Sequence, residues 1–201
     1  MIMDSTAGEL NINARIAARV KTLRVEHHLS LEDLATKTGV SRSMISLIER
    51  GESSPTAVLL EKIASGFGVP LASLFENPEL PPSPISRAAD RTAWKDPESG
   101  YVRTNVSPAN YPAPFQIVDV VLPAGAHVAY GGAGRDGSLH QQIWVQEGTI
   151  ELTTGKATFT LGPGDCLAMQ LDGPNAFRNR TRKAARYVVV VTSDRLTRAR
   201  K

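Results

Sequence analysis

Arg42, Ser43, Ser46, Leu47 and Arg50 carry the most specific chemistry in this chain. In the run Ser41–Arg50, SRSMISLIER, helical spacing turns Ile48 and either Met44 or Ile45 to one face and these five residues to the other. A guanidinium such as that of Arg42 donates two parallel hydrogen bonds to O6 and N7 of guanine, worth about 1–3 kcal/mol of discrimination against a wrong base. A serine hydroxyl at Ser43 bonds either base type, and Leu47 offers an apolar surface to a thymine methyl. Arg50, Ser53 and Ser54 follow where the helix meets a Gly51 turn. The alternative for Arg42 is a solvated surface charge, but the outer face that it begins is otherwise small and uncharged.

The flanking residues supply the elements that would hold this face. Leu31, Leu34 and Ala35 recur at helical spacing. Ser30 is placed to cap that helix, and Asp33 three residues on completes a capping-box pattern. Gly39 is a left-handed helix stop, and Val40 a plug between two helices. Ser41 caps the next helix. Two short helices joined by a glycine turn form a helix-turn-helix, whose second helix enters a major groove. Ser54-Pro55 reads as a cap followed by proline at a first helical position, opening a helix with Leu59, Ile63 and Phe67 inward and Gly68 at its end. Pro70 opens a last short helix with Leu71, Leu74 and Phe75. Upstream, Ile12, Ile16, Val20 and Leu23 make the first amphipathic helix.

The run GVSRSMISLIERGESSPT closely resembles the XRE family of repressors, and the resemblance extends from Ile12 to Glu76. It implies a five-helix, lambda-repressor-like bundle. It also implies that Arg42, Ser43 and Leu47 face base edges, with Ser41 and Ser46 beside them, while Arg50, Ser53 and Ser54 grip phosphates, setting register without reading sequence. One departure concerns the preceding helix, whose second residue in the family is a phosphate-contacting Gln; Leu31 stands there. Charge is a second departure. Residues 1–77 hold 8 Lys+Arg against 9 Asp+Glu, a net of −1, so any positive field rests on the placement of Arg15, Arg19, Arg24, Lys37, Arg42 and Arg50.

The remaining residues hold 15 Lys+Arg against 11 Asp+Glu, which brings the chain to +3. Five of these cations are Arg178, Arg180, Arg182, Lys183 and Arg186, and such a run is ordinarily a solvated face. With 201 residues the chain has room for two small domains. The apolar run Tyr187–Val191 is too short to span a bilayer. No basic-then-apolar N-terminal pattern marks a secretory signal, and the single cysteine, Cys166, forms no internal disulfide. These features point to a cytoplasmic protein.

Composition shifts after Glu76 to a Pro-rich, polar stretch that reads as a linker. Short strands follow, at Tyr101–Asn105, Phe115–Leu122, Gln141–Gln146, Thr149–Thr154, Ala157–Leu161, Cys166–Leu171, Phe177–Arg180 and Arg186–Thr192. The expected organisation is α + β in two domains: a helix-turn-helix domain over 10–77, a linker over 78–99, an all-β domain over 100–194 and a basic tail over 195–201. The strand spacing suggests a barrel or double-sheet jelly roll. The loop YGGAGRDG at Tyr130–Gly137 lacks the strand-to-helix context of a nucleotide site.

The order IWVQEGTIEL…FTLGPGDCLAMQLDGPNAFRN resembles the cupin superfamily over Val102–Thr192, which implies a closed jelly-roll barrel. Family members hold a metal with a His-x-His pair, a carboxylate seven residues before a Gly, and a later His. In this chain Gln141 stands seven residues before Gly148, Asn175 stands at the later His position, Asn179 keeps the family's final Asn, and the His-x-His pair is missing. Amides are poor ligands for first-row divalent ions beside imidazole and carboxylate, so no metal and no cofactor is expected, although His127 and His140 remain in the domain. An amide-lined apolar cup suits a small molecule instead. Motif position and strand alternation send Gln141, Ile143, Val145, Asn175 and Phe177 inward; Tyr130, His140 and Met169 are further candidates for effector contact. The competing reading of the domain is a barrel filled by its own side chains.

Chains of this layout resemble bacterial regulators in which a helix-turn-helix binds a near-palindromic DNA operator as a homodimer and a cupin senses a small-molecule effector. That is the expected function, without enzymatic activity and without membrane attachment. The alternative is a two-domain mononuclear-metal oxygenase or epoxidase, which needs two His and one carboxylate; Gln141 with Asn175 spoils that triad. An antitoxin is a further, weaker reading.

Overall fold

The computed structural model describes residues 5–76, 81–132 and 139–192, with side chains from Ile12 onward. Four α-helices come first: α1 (Ser5–Glu26), α2 (Leu31–Thr38), α3 (Arg42–Glu49) and α4 (Ala57–Phe67), followed by a 3-10 turn at Leu71–Phe75. Ten strands follow a short 3-10 segment at Ala88–Asp90: β1 (Ala93–Lys95), β2 (Val102–Asn105), β3 (Phe115–Leu122), β4 (His127–Tyr130), β5 (His140–Glu147), β6 (Ile150–Thr154), β7 (Ala157–Leu161), β8 (Cys166–Gln170), β9 (Asn175–Arg178) and β10 (Ala185–Thr192). No described helix is long and apolar enough to cross a membrane.

The local signals of the first helices act as their chemistry requires. Ser30 and Asp33 form the reciprocal capping box, and Gly39 closes α2 at φ 67°, where a Cβ would be strained. Ser41 caps α3 by accepting from the amide of Met44. The start of α4 differs from expectation: Thr56, not Ser54, is the cap, and its side chain accepts from Leu59 N–H. Ile12, Ile16, Val20, Leu23, Leu34, Ile45, Ile48, Leu60 and Ile63 are all buried between the helices.

Two parts of the expected fold class are corrected. Among the described residues the bundle has four α-helices rather than five. After Pro70 only Leu71–Phe75 remain before the chain extends at Glu76, too few for an i→i+4 ladder, and they settle as a 3-10 turn. The β-rich part is not a closed barrel. It forms a six-stranded sheet ordered β1-β2-β3-β10-β5-β8 and a four-stranded sheet ordered β4-β9-β6-β7. Closure needs a ladder joining one sheet to the other, and none is present among the described residues. The chain crosses between sheets through tight turns instead: at Gly148 (φ 74°) from β5 to β6, and through Gly162-Pro163-Gly164 from β7 to β8, where Pro163 has no amide to extend a ladder. The segments at Ala93–Lys95 and His127–Tyr130, without strong alternation of their own, are strands as well.

Inner faces of the two sheets meet around Ile143, Val145, Leu152, Phe177 and Tyr187, with Phe177 stacked on Tyr187 at 5.6 Å and 5° between planes. One continuous cluster of buried side chains joins this core to the helices. At the junction the ring of Phe75 lies 5.3 Å from that of Trp94, which in turn lies 5.9 Å from Tyr101. Glu76 is shared between Arg19 of α1 (3.3 Å) and Gln116 of β3 (2.6 Å). Asp96, just past β1 and buried, accepts from the Ala57 amide at 2.9 Å and so caps α4 from the other side of the junction.

Candidate nucleic-acid interface and interdomain cavity

The reading helix is fixed from beneath. Ile45 and Ile48 are fully buried, and Glu49 at its last turn receives a two-pronged contact from Arg24 of α1, at 2.6 and 2.8 Å. That pair holds the Arg24 guanidinium above its ordinary range, first through the Glu49 hydrogen bond. Arg24 is thereby committed to positioning α3, and the buried Arg19 to Ser73 and Glu76. Neither contributes to a DNA-facing field as the sequence suggested; Lys37, Arg42 and Arg50 remain exposed.

Arg42 and Ser43 are exposed on the first turn of α3, with Ser43 3.2 Å from the capping Ser41 hydroxyl. Arg42 makes no hydrogen bond to another described residue, so its donor fork is free for an external acceptor. Ser46 and Leu47 are half-buried along the same face. Arg50 is engaged: its guanidinium bridges both Glu52 oxygens at 2.8 Å and also reaches Ser46. The shared hydrogen bonds raise the Arg50 pKa and lower that of Glu52, so both stay charged. A phosphate at Arg50 must compete with this carboxylate. Ser54 is exposed and accepts from Asn13 at 3.1 Å, while Ser53 lies beside Met44.

The second site is a cavity of about 70 Å³ at the open end of the sheets, beneath the helices. Gln141, Asn175, Phe177 and Tyr130 line it. Gln141 is buried and donates toward Met169 Sδ at 3.4 Å; Met169 and Ile143 belong to the core beside the cavity rather than to its wall. His140, one residue from Gln141, lies exposed on the opposite face of β5, as strand alternation requires. Asn179 is wholly buried and serves a turn, donating to the carbonyls of Leu122 and Lys183 and accepting from Thr181. His127 is exposed on β4. Among the described residues no group of three His, Cys, Asp or Glu is arranged to hold a metal. The region Ala133–Gly137, the missing His-x-His position and most of the glycine-rich loop, lies outside the described residues, as does the tail 195–201.

Sequence reasoning missed two contributions to this cavity. Arg103 of β2 lines it, 8% exposed, with Nη1 3.4 Å from the Tyr101 hydroxyl and its guanidinium 5.0 Å over the Phe75 ring. In addition, Glu61, Pro70, Leu71 and Ala72, all from the helical part, form one wall. Local alternation places Arg103 on the inner face, since it pairs with Val120, which pairs with Tyr187. That the helical turn closes over this face is a tertiary fact without a local signal. Of the basic run, exposed Arg180 pairs with half-buried Glu151 at 2.6 Å and exposed Arg186 with half-buried Asp119 at 2.9 Å.

Comparison with known proteins gives a consistent result. The helix-turn-helix family HTH_3 matches residues 20–74. The HTH-type transcriptional regulator SutR of Escherichia coli K12 is 27% identical over 169 residues, covering 84% of this chain and 89% of that protein. The uncharacterised HTH-type transcriptional regulator MJ0272 of Methanocaldococcus jannaschii is 46% identical over 57 residues, 28% of this chain and 86% of that protein. A crystal structure of an HTH_3 family transcriptional regulator from Vibrio cholerae superposes with a TM-score of 0.72 at 27% identity, covering 92% of this chain and 98% of that one.

Proposed function

Through its N-terminal domain this chain belongs to the HTH-type transcriptional regulators, and from that membership we propose a regulator whose DNA binding answers to a small molecule in the interdomain cavity. The N-terminal domain binds DNA; the operator, the effector and the assembly are the proposed part. Arg42, Ser43 and Leu47 read bases, while Arg50 and Ser54 contact phosphates. A single short reading helix per chain is small for tight specific binding, so two chains engage a near-palindromic site with half-sites about one helical turn, roughly 34 Å, apart. The outer face of the six-stranded sheet, where exposed Trp144 stands between Val188 and Cys166, offers apolar surface for that pairing.

The observation that carries the sensing half is the composition of the cavity wall, shared between β-strand residues and the turn Leu71–Ala72 of the DNA-binding domain. A molecule seated there touches both parts, so its affinity differs between their arrangements, which is the thermodynamic requirement for regulation. The chain is read as a non-enzyme: the amides Gln141 and Asn175 are acceptors and donors for a bound ligand, with no general acid or base between them.

The test is an operator selected from randomised duplexes and titrated with the full-length protein by fluorescence anisotropy. A small-molecule extract of the source cells shifts the curve of the wild type and not that of a cavity-filling Val191→Phe variant. An extract that shifts neither protein, or both equally, refutes sensing at this cavity. A footprint of one isolated half-site refutes the dimer.

A further inference from the structure

Resting on the sensing reading above, the inference concerns which chemical group the cavity receives. Three phenols line its wall: Tyr101, which directly precedes β2, Tyr130 of β4 and Tyr187 of β10. The Tyr130 and Tyr101 hydroxyls lie 3.4 Å apart, and Arg103 Nη1 donates to the Tyr101 hydroxyl from 3.4 Å. A guanidinium only donates, so it occupies a lone pair of Tyr101. Whichever phenol of the pair donates to the other, one O–H is left over. The hydroxyl of Tyr187, a buried residue, makes no hydrogen bond to a described residue. The groups that act electrostatically on Tyr130 are Tyr101, Arg103 and Tyr187, and those that act on Tyr187 are Tyr101 and Arg103. The carboxylate of Glu61, engaged in its own right, is not one of them. Burial holds both Tyr130 and Tyr187 above the ordinary tyrosine range, so both keep their protons and act as donors.

The wall also holds a surplus acceptor. Asn175 Oδ1 is buried with no donor, while its Nδ2 donates to the Gly173 carbonyl at 3.4 Å, a contact that fixes which way the amide points. Buried acceptors are nearly always satisfied, and this one belongs to a residue of the cavity wall. Asn175 stands on the four-stranded sheet and Tyr187 on the six-stranded one, so the missing partners are called for from opposite sides. A carbonyl oxygen has two lone pairs and accepts from two phenols; an N–H on the same group serves Asn175. A ketone or a carboxylate accepts but has no proton to donate, and an alcohol puts donor and acceptor on one atom. A volume of about 70 Å³ holds roughly five water molecules, which limits the occupant to a few heavy atoms. We propose that the cavity binds a small carboxamide, its carbonyl oxygen accepting from the phenols and its N–H donating to Asn175.

The experiment uses the full-length protein and four probes of equal size: propionamide, butanone, propionate and 2-butanol. Binding is read at neutral pH from NMR chemical-shift titrations, which follow weak ligands to saturation. Propionamide binds at least about tenfold more tightly than each of the other three, because each of those leaves a buried polar group of the wall unpaired. Tyr187→Phe keeps the ring stacked on Phe177 and removes only the hydroxyl. It weakens propionamide at least about fivefold, while its ligand-free Tm is equal to or above that of the wild type, because an unpaired buried donor has been removed. A hydroxyl that serves the fold alone would lower Tm and leave propionamide affinity unchanged. Should Tyr187→Phe fail to fold, Asn175→Leu decides: it abolishes the preference for propionamide over butanone.

The inference is overturned by any of four results: butanone, propionate or 2-butanol binding as well as propionamide, unchanged propionamide affinity in Tyr187→Phe, an unchanged preference in Asn175→Leu, or no saturation by about 100 mM propionamide. The cell-extract titration distinguishes that failure from failure of the sensing reading. A cavity-dependent extract response without a propionamide response leaves sensing intact and removes only the carboxamide.

Discussion

Asp96→Ala probes whether the β-domain holds the DNA-binding domain in place. The carboxylate is 2% exposed, and its Oδ1 accepts from the first amide of α4, Ala57, at 2.9 Å, while Oδ2 accepts from the Ser99 amide and hydroxyl. Ala57 is fully buried, so alanine at position 96 leaves its amide without an acceptor and without water. An orphaned buried donor costs about 1–3 kcal/mol, and losing a partly buried negative charge at a helix N-terminus costs about 0.3–2 kcal/mol more. The Ser99 groups, half-exposed, turn to solvent at little cost. The sum is about 1–5 kcal/mol, or a fall in Tm of roughly 3–20 °C for a chain of this size. Asp96→Asn, which keeps an acceptor and drops the charge, falls between wild type and Asp96→Ala. The assay is urea unfolding followed by tryptophan fluorescence in a Trp144→Phe background, which leaves Trp94, packed between Phe75 and Tyr101, as the reporter of the junction. A change below about 0.5 kcal/mol, within the scatter of ordinary surface substitutions, would refute the argument.

Arg42→Ala relaxes base preference at one position per half-site by about 1–3 kcal/mol, measured by selection on randomised operators; an unchanged preference removes Arg42 from the reading set. Glu52→Gln frees Arg50 from its carboxylate partner and steepens the salt dependence of DNA affinity by about one phosphate contact; equal slopes in the two proteins show that Arg50 does not meet a phosphate. Gly66→Ala destabilises by about 1–3 kcal/mol in denaturant titration, because a Cβ there would overlap Thr38 of α2, and a neutral result means that α2 and α4 separate at no cost. Gln141→Ala blunts the effector response and leaves effector-free operator affinity unchanged, since the residue lies outside the reading domain; a loss of effector-free affinity assigns Gln141 to folding instead.

Much of the DNA-binding half was legible in the residues themselves. Ser30, Asp33, Gly39 and Ser41 act through bonds spanning a few positions, and the 3.6-residue period separates Ile45 and Ile48 from Arg42 and Leu47 without reference to the rest of the chain. Strand alternation likewise places Gln141 inward and His140 outward, although His140 also stood among the candidates for effector contact. Other features depended on partners far along the chain. Thr56 rather than Ser54 begins α4, and there Asp96, 39 residues away, meets the next amide. Arg19 and Arg24 look like surface cations until Glu76 and Glu49 are brought against them. The barrel stayed open because closure is a property of sheet edges, which no single strand records. The cavity is the clearest case: Gln141 and Asn175 announced a polar lining by their types, but the wall from Leu71 and Ala72 exists only once the helical turn lies over the sheet. Which residues share a buried wall is decided by tertiary packing.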